Sequence, residues 1–189
     1  MLSCLGDYFN RNFRWVPKDA AIEDFFQLLL QAYQHRSLMV SIPVLSTWTK
    51  LMSNTRLEPG EKFSHFAGPL LEVAMVRLVR YEHLPEDSND PSLLFLMDDT
   101  DTMPERHAFL GNYRRYTTSL IESIVRMKPF DALSHILSTT ETVLNHLYDG
   151  ELPLNSKKLL HCINCIMRTL LTDNTRIQLF QVLYAGSQS

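Results

Sequence analysis

Apolar residues recur three and four positions apart along most of this chain, and no strict alternation of apolar and polar residues runs long enough for a pair of strands. Ile22, Phe25, Phe26, Leu29 and Leu30 form one such stripe. Val40, Val44, Leu45, Trp48, Leu51 and Met52 form the next. Phe63, Phe66, Ala67, Leu70, Leu71, Ala74, Met75, Leu78 and Val79 follow. Phe109, Tyr113, Tyr116, Leu120, Ile121, Ile124 and Val125 keep the same period, as do Leu133, Ile136, Leu137, Val143, Leu144 and Leu147. Segments of this kind bury their stripes by packing helix on helix.

Punctuation residues set the expected boundaries. A short helix over Leu2–Arg14 is broken by Pro17. Asp19 can cap a helix over Ala20–Gln34, and the next runs from Ser37 to Asn54. Pro43 lies inside that run and should kink it or mark its first turn. Pro59-Gly60 is a turn, and Gly60–Leu84 is helical with Pro69 in the role of Pro43. Thr102 with Glu105 is a capping-box signature, and Pro104 suits the first turn of a helix over Pro104–Met127. Pro129 ends it. Phe130–Tyr148 closes at Gly150, and Asn155 or Ser156 can cap a helix to about Thr172, with a last one ending near Ala185. The sum is an all-α, HEAT-like α-α superhelical stack of about eight helices. Prolines near helix starts and broad apolar faces on each helix favour an open stack over a closed bundle. One domain over 1–189 is expected, 189 residues and 45% apolar content being enough for a core.

One stretch departs from this pattern. Between Glu82 and Glu105 stand eight carboxylates: Glu82, Glu86, Asp87, Asp90, Asp98, Asp99, Asp101 and Glu105. Only the apolar knot Leu93-Leu94-Phe95-Leu96-Met97 interrupts them. This reads as an acidic loop over 82–105 with a short helix or anchor in its middle, and loops of that length are usually functional or disordered.

Bulk properties remove several classes of function. A net charge of -3 without a basic block gives nucleic acid no overall electrostatic attraction. The N-terminus lacks the basic and apolar regions of a signal peptide. No run reaches the roughly 18 apolar residues of a membrane-spanning helix, so no membrane insertion is expected. Three cysteines make no closed disulfide framework, which suits a reducing compartment.

No catalytic set emerges either. Cys162 and Cys165 form a C-x-x-C, but structural zinc needs four ligands, and Cys4 is the one cysteine left. Two small residues three apart on a helix are as well explained by packing. Asp98, Asp99 and Asp101 are too close together for the one-turn spacing of helical magnesium-diphosphate sites, and they miss the glycine and glutamate of a calcium loop. Neither a nucleophile elbow nor a glycine-rich phosphate loop occurs, so no catalytic residue, metal or cofactor is assigned. The charged candidates are for partner binding: Glu86, Asp87, Asp98, Asp99 and Asp101 in the loop, with Arg77, Arg80, Arg114 and Arg115 on helices. Arg77 and Arg80 share a helix face by spacing, whereas the adjacent Arg114 and Arg115 cannot both point one way. Lys157 and Lys158 sit in a first turn, where the helix dipole disfavours cations. His107, Asn112, Tyr113, Arg114, Arg115 and Tyr116 give one helix a polar-aromatic start, either half-buried tyrosines with solvated arginines or a surface that meets a partner.

Three segments carry a family likeness. Arg77-Leu78-Val79-Arg80-Tyr81-Glu82-His83-Leu84-Pro85-Glu86-Asp87-Ser88 resembles fungal exportin-five-type karyopherins of the importin-β superfamily. So do the run from Asp99 through Thr102, Met103, Pro104, Glu105 and Arg106 to Tyr116, and the run from Val40 through Pro43 to Trp48. The likeness covers roughly Leu2–Leu154 and implies a HEAT-repeat superhelix. It further implies a nuclear export receptor that binds Ran-GTP and cargo together, shuttles between nucleus and cytoplasm, and releases cargo after GTP hydrolysis. Cargo in this group includes proteins, phosphorylated ones among them, and structured RNA. Such receptors are far longer, so the chain is expected to be an internal part, without the N-terminal repeats that make the main Ran contact. Residues 155–189 do not share the likeness and are expected to be a diverged C-terminal helix pair. Two other readings stay open by sequence: a HEAT-like interaction scaffold unrelated to transport, and a helical magnesium-dependent enzyme.

Overall fold

The computed structural model describes residues 1–17, 21–54, 64–78 and 89–146. Among them are seven α-helices, two short 3-10 turns and no strand. The helices are α1 (Leu2–Asn12), α2 (Ile22–Tyr33), α3 (Leu38–Ser53), α4 (Ala67–Arg77), α5 (Pro91–Asp99), α6 (Met103–Met127) and α7 (Pro129–His146). The all-α, HEAT-like class expected from the sequence therefore holds for these residues. The turn at Pro59-Gly60, the caps at Asp19 and Gly150, the C-x-x-C and the helices expected after Asn155 lie outside them.

The chain divides into two compact units, Met1–Phe63 with Arg80–Leu120, and Ser64–Val79 with Ile121–Ser189. In the first, α3 is the central element and packs against α1, α2 and α5. A four-residue link, Gln34 to Ser37, joins α2 to α3, and a link that short folds the pair back antiparallel. Their stripes close on an aromatic cluster. Phe9 stacks on Phe25 with ring centroids 4.8 Å apart, Phe25 lies 5.3 Å from Phe26, and Phe26 lies 5.6 Å from Trp48. Tyr33, Leu38, Leu45 and Leu29 fill in around it, all buried.

Polar contacts set the register of these helices. Asn54, at the C-cap of α3, donates through Nδ2 to the Asn10 carbonyl at 3.0 Å and to Asn10 Oδ1 at 2.7 Å. Lys50 meets Asp7 at 2.8 Å. Both groups of that pair are solvated, which puts its contribution at about 0–1 kcal/mol. Gly6 faces Thr47 so closely that a Cβ at Gly6 would overlap the Thr47 methyl carbon. The absent side chain is what lets α1 approach α3.

Two local expectations are revised. Pro43 sits at the sixth position of α3, past the first turn, on an exposed face. It removes the N–H that would have bonded the Met39 carbonyl, and solvent can take over that acceptor. The helix expected over Ala20–Gln34 begins at Ile22, with Ala21 as its N-cap and no side-chain cap. Pro69, by contrast, falls in the first turn of α4, where its missing N–H costs nothing.

The second unit pairs α4 with α7. Leu70, Leu71, Ala74 and Met75 of α4, the following Leu78, Ile121, Ile124 and Val125 at the end of α6, and Ala132 and Ile136 of α7 are buried in this unit. Lys128 alone separates α6 from α7. Its N–H still donates to Ile124 at 2.9 Å, and its carbonyl already accepts from Ala132 at 3.0 Å. Pro129 then takes the first position of α7, so it begins a helix as well as ending one.

Candidate partner-binding surface

The acidic stretch contains the short helix expected in its middle, α5. Asp90 caps α5, its Oδ1 accepting from Ser92 N at 2.9 Å and Leu93 N at 3.4 Å, with Pro91 at the first helical position. Leu93 and Leu96 are buried, while Leu94, Phe95 and Met97 face solvent. The apolar knot is thus an anchor through two leucines only. At its far end, Thr100 is buried and donates to the Leu96 carbonyl at 2.6 Å.

Ser37 fastens this helix to α3. It caps α3 by accepting from Val40 N at 3.3 Å, and its hydroxyl donates to Asp99 Oδ2 at 3.1 Å. Its own N–H donates to His35 Nδ1 at 3.1 Å, and the His35 ring lies 6.3 Å from Phe95.

The capping box that opens α6 is formed in a shifted version. Thr102 Oγ1 accepts from Glu105 N at 3.4 Å, and Glu105 Oε2 returns to Asp101 N at 3.2 Å rather than to the cap's own N–H. Arg106 curls back, donating through Nε to Thr100 Oγ1 at 3.0 Å. Further along α6, the Tyr113 hydroxyl meets Ser41 Oγ at 2.9 Å in the buried interior. Since the Ser41 proton is directed at the Leu38 carbonyl 3.1 Å away, Tyr113 is the donor.

The carboxylates therefore separate by task. Asp90 and Glu105 hold helix starts, and Asp99 receives Ser37. Asp98 and Asp101 are exposed, and neither side chain has a partner among the described residues. Glu82, Glu86 and Asp87 lie outside the described residues, as does Arg80. Arg77 is buried at 7% exposure in the last turn of α4, where it has interactions within the structure. Arg114 is half-buried and partnered; Arg115 is exposed, with its guanidinium carbon 5.3 Å from the centre of the Tyr116 ring. Of the nine candidates, Asp98, Asp99 and Asp101 come together, and Arg115 stands apart on α6. Sequence reasoning missed the Ser37–Asp99 link, which joins positions 62 residues apart. It also missed the outward apolar row on α5; the signal available was five apolar residues in sequence, more than one face of a short helix can bury.

Among the described residues, no three His, Cys, Asp or Glu side chains gather as a metal site, and no helix is long and apolar enough to cross a membrane. The described residues form an all-α arrangement of packed helices. Comparison with known families makes the class specific: residues 1–186 match the Exportin-5 family, and the chain belongs to it. It is also similar to an uncharacterized protein of Schizosaccharomyces pombe, 26% identical over 149 residues. That match covers 76% of this chain and 12% of the relative, so the chain spans a small part of the relative's length. No solved structure matches the chain.

Proposed function

We propose that the chain is a segment of a nuclear export receptor. It takes part in binding Ran-GTP together with protein cargo, phosphorylated or not, or structured RNA, and it acts by binding without catalysis. The receptor shuttles, loading in the nucleus and unloading in the cytoplasm after GTP hydrolysis. The observation that carries this reading is the family match over residues 1–186. Cargo and Ran need not touch for their affinities to be linked: each stabilises the same arrangement of the helical stack, and each then tightens the other by the same factor, commonly about 5- to 150-fold.

Within that mechanism, the segment 82–105 supplies a regulatory contact through Asp98, Asp101 and their neighbours. The test is retention of Ran and cargo by an immobilised full-length Exportin-5-family protein carrying this segment, with and without residues 82–105. Ran loaded with a non-hydrolysable GTP analogue should be retained with cargo, and Ran-GDP should not. Binding that ignores the nucleotide would replace this reading with a transport-independent scaffold. Equal retention without 82–105 would remove that segment from the mechanism.

A further inference from the structure

The α5 surface is built against its own stability. Of the five consecutive apolar residues from Leu93 to Met97, two are buried; Leu94, Phe95 and Met97 remain 48%, 42% and 43% exposed. Single exposed apolar residues are ordinary, but three large ones on a nine-residue helix form a patch. Pro91, Leu94, Phe95 and Asp98 lie on the face opposite the buried Leu93 and Leu96, with Met97 on its flank. Met103, just beyond at the start of α6, is also exposed.

From Asp98 to Glu105 every charge that follows this patch is negative, while Arg36, on the α2–α3 link between His35 and Ser37, has interactions within the structure. Asp98 and Asp99 occupy the last turn of α5, which has no basic residue, so both carboxylates face the negative end of the helix dipole. Asp101 and Glu105 follow within one further turn of chain. The nearest cation in sequence, Arg106, is held by Thr100 and Met103 and forms an ion pair with none of them. Helix stability does not explain this arrangement: capping accounts for Glu105 and the Ser37 hydroxyl for Asp99, which leaves Asp98 and Asp101.

We infer that the outer face of α5 docks a short basic amphipathic segment of a partner protein, whose apolar side chains cover Leu94, Phe95 and Met97 and whose lysines or arginines meet Asp98 and Asp101. The inference rests on the reading of this chain as a binding segment, and it names the partner's chemistry. Charge complementarity selects this occupant: an acidic or phosphate-bearing ligand would be repelled, and a second copy would set like charges against each other. The apolar contact supplies the lifetime of the complex, and the carboxylates supply orientation and association rate.

The probe is a fluorescein-labelled helical peptide of leucine and lysine, followed by anisotropy on the whole chain. A leucine–glutamate peptide and a serine–lysine peptide serve as controls. The leucine–lysine peptide should bind, and more weakly as salt rises. Leu94→Ser with Phe95→Ser should weaken it roughly tenfold or more. Asp98→Asn with Asp101→Asn should slow association and flatten the salt dependence. All four positions are exposed, and the circular dichroism of each variant should match the parent. Equal binding of the two leucine peptides, binding by both variants as tight as by the parent, or a dimer of the chain that Leu94→Ser dissolves would each overturn the inference. The peptide assay contains neither Ran nor nucleotide, so its outcome is separate from that of the retention experiment.

Discussion

Two glycines with the same backbone permissiveness have opposite roles. Gly111, inside α6, has open space where a Cβ would stand, whereas at Gly6 that atom would overlap Thr47. Gly111→Ala is expected to stabilise the chain by about 0.5–1 kcal/mol, the helix-propensity gain. Gly6→Ala should cost about 1–3 kcal/mol despite the same gain, because Thr47 is buried and cannot yield. Thr47→Ala should recover part of that loss in the double variant, which denaturant unfolding of all four proteins would show. At Tyr113 the hydroxyl matters apart from the ring: Tyr113→Phe leaves the buried Ser41 oxygen without its donor 2.9 Å away, and should cost about 1 kcal/mol. Nothing in the sequence distinguishes Gly6 from Gly111, or pairs Ser41 with Tyr113 across 72 positions. Both facts depend on how closely α3 is approached by its neighbours.

Helices were more legible than residues. The expected boundaries of α3 and α6 agree with the structure to within a residue, since Ser37, Asn54, Thr102 and Pro104 are strong local signals. Thr102→Ala should lower thermal stability by about 1 kcal/mol through loss of the cap, while Glu105→Gln, which keeps an acceptor for Asp101 N–H, should cost less. Pro43 was only half legible. Its place inside the run was expected, but the local sequence left open a kink or a first-turn position, and the structure puts it at the sixth residue of the helix. With the position exposed, Pro43→Ala is expected to stabilise α3 by ~2 kcal/mol, readable as a shifted urea midpoint. The acidic stretch was legible as charge and as a short helix within a loop, but its contacts were not. The Thr102–Glu105 cap was readable, but nothing local showed that Asp99 would receive Ser37 while the Asp98 and Asp101 side chains find no partner among the described residues.

At the scale of the whole molecule, the two tryptophans report on the burial pattern. Trp48 is fully buried in the aromatic cluster, and Trp15 is 82% exposed. Trp15→Phe should leave a blue-shifted emission that acrylamide barely quenches. Trp48→Phe should leave a red-shifted, readily quenched emission and cost about 1–3 kcal/mol, because the core loses volume it cannot refill. By itself the sequence determined the helical class, most helix positions and the candidate charges, because apolar periodicity, prolines and caps act within a few residues of one another. Its resemblance to a family of transport receptors also stood, and it reaches beyond Leu154, since the match to the Exportin-5 family over residues 1–186 takes in most of the stretch expected to lie outside the likeness. Tertiary structure alone decided which carboxylates remain available, which apolar residues of α5 are left uncovered and where glycine is indispensable. Those outcomes depend on the distance and orientation of segments far apart in the chain, and no local pattern encodes them.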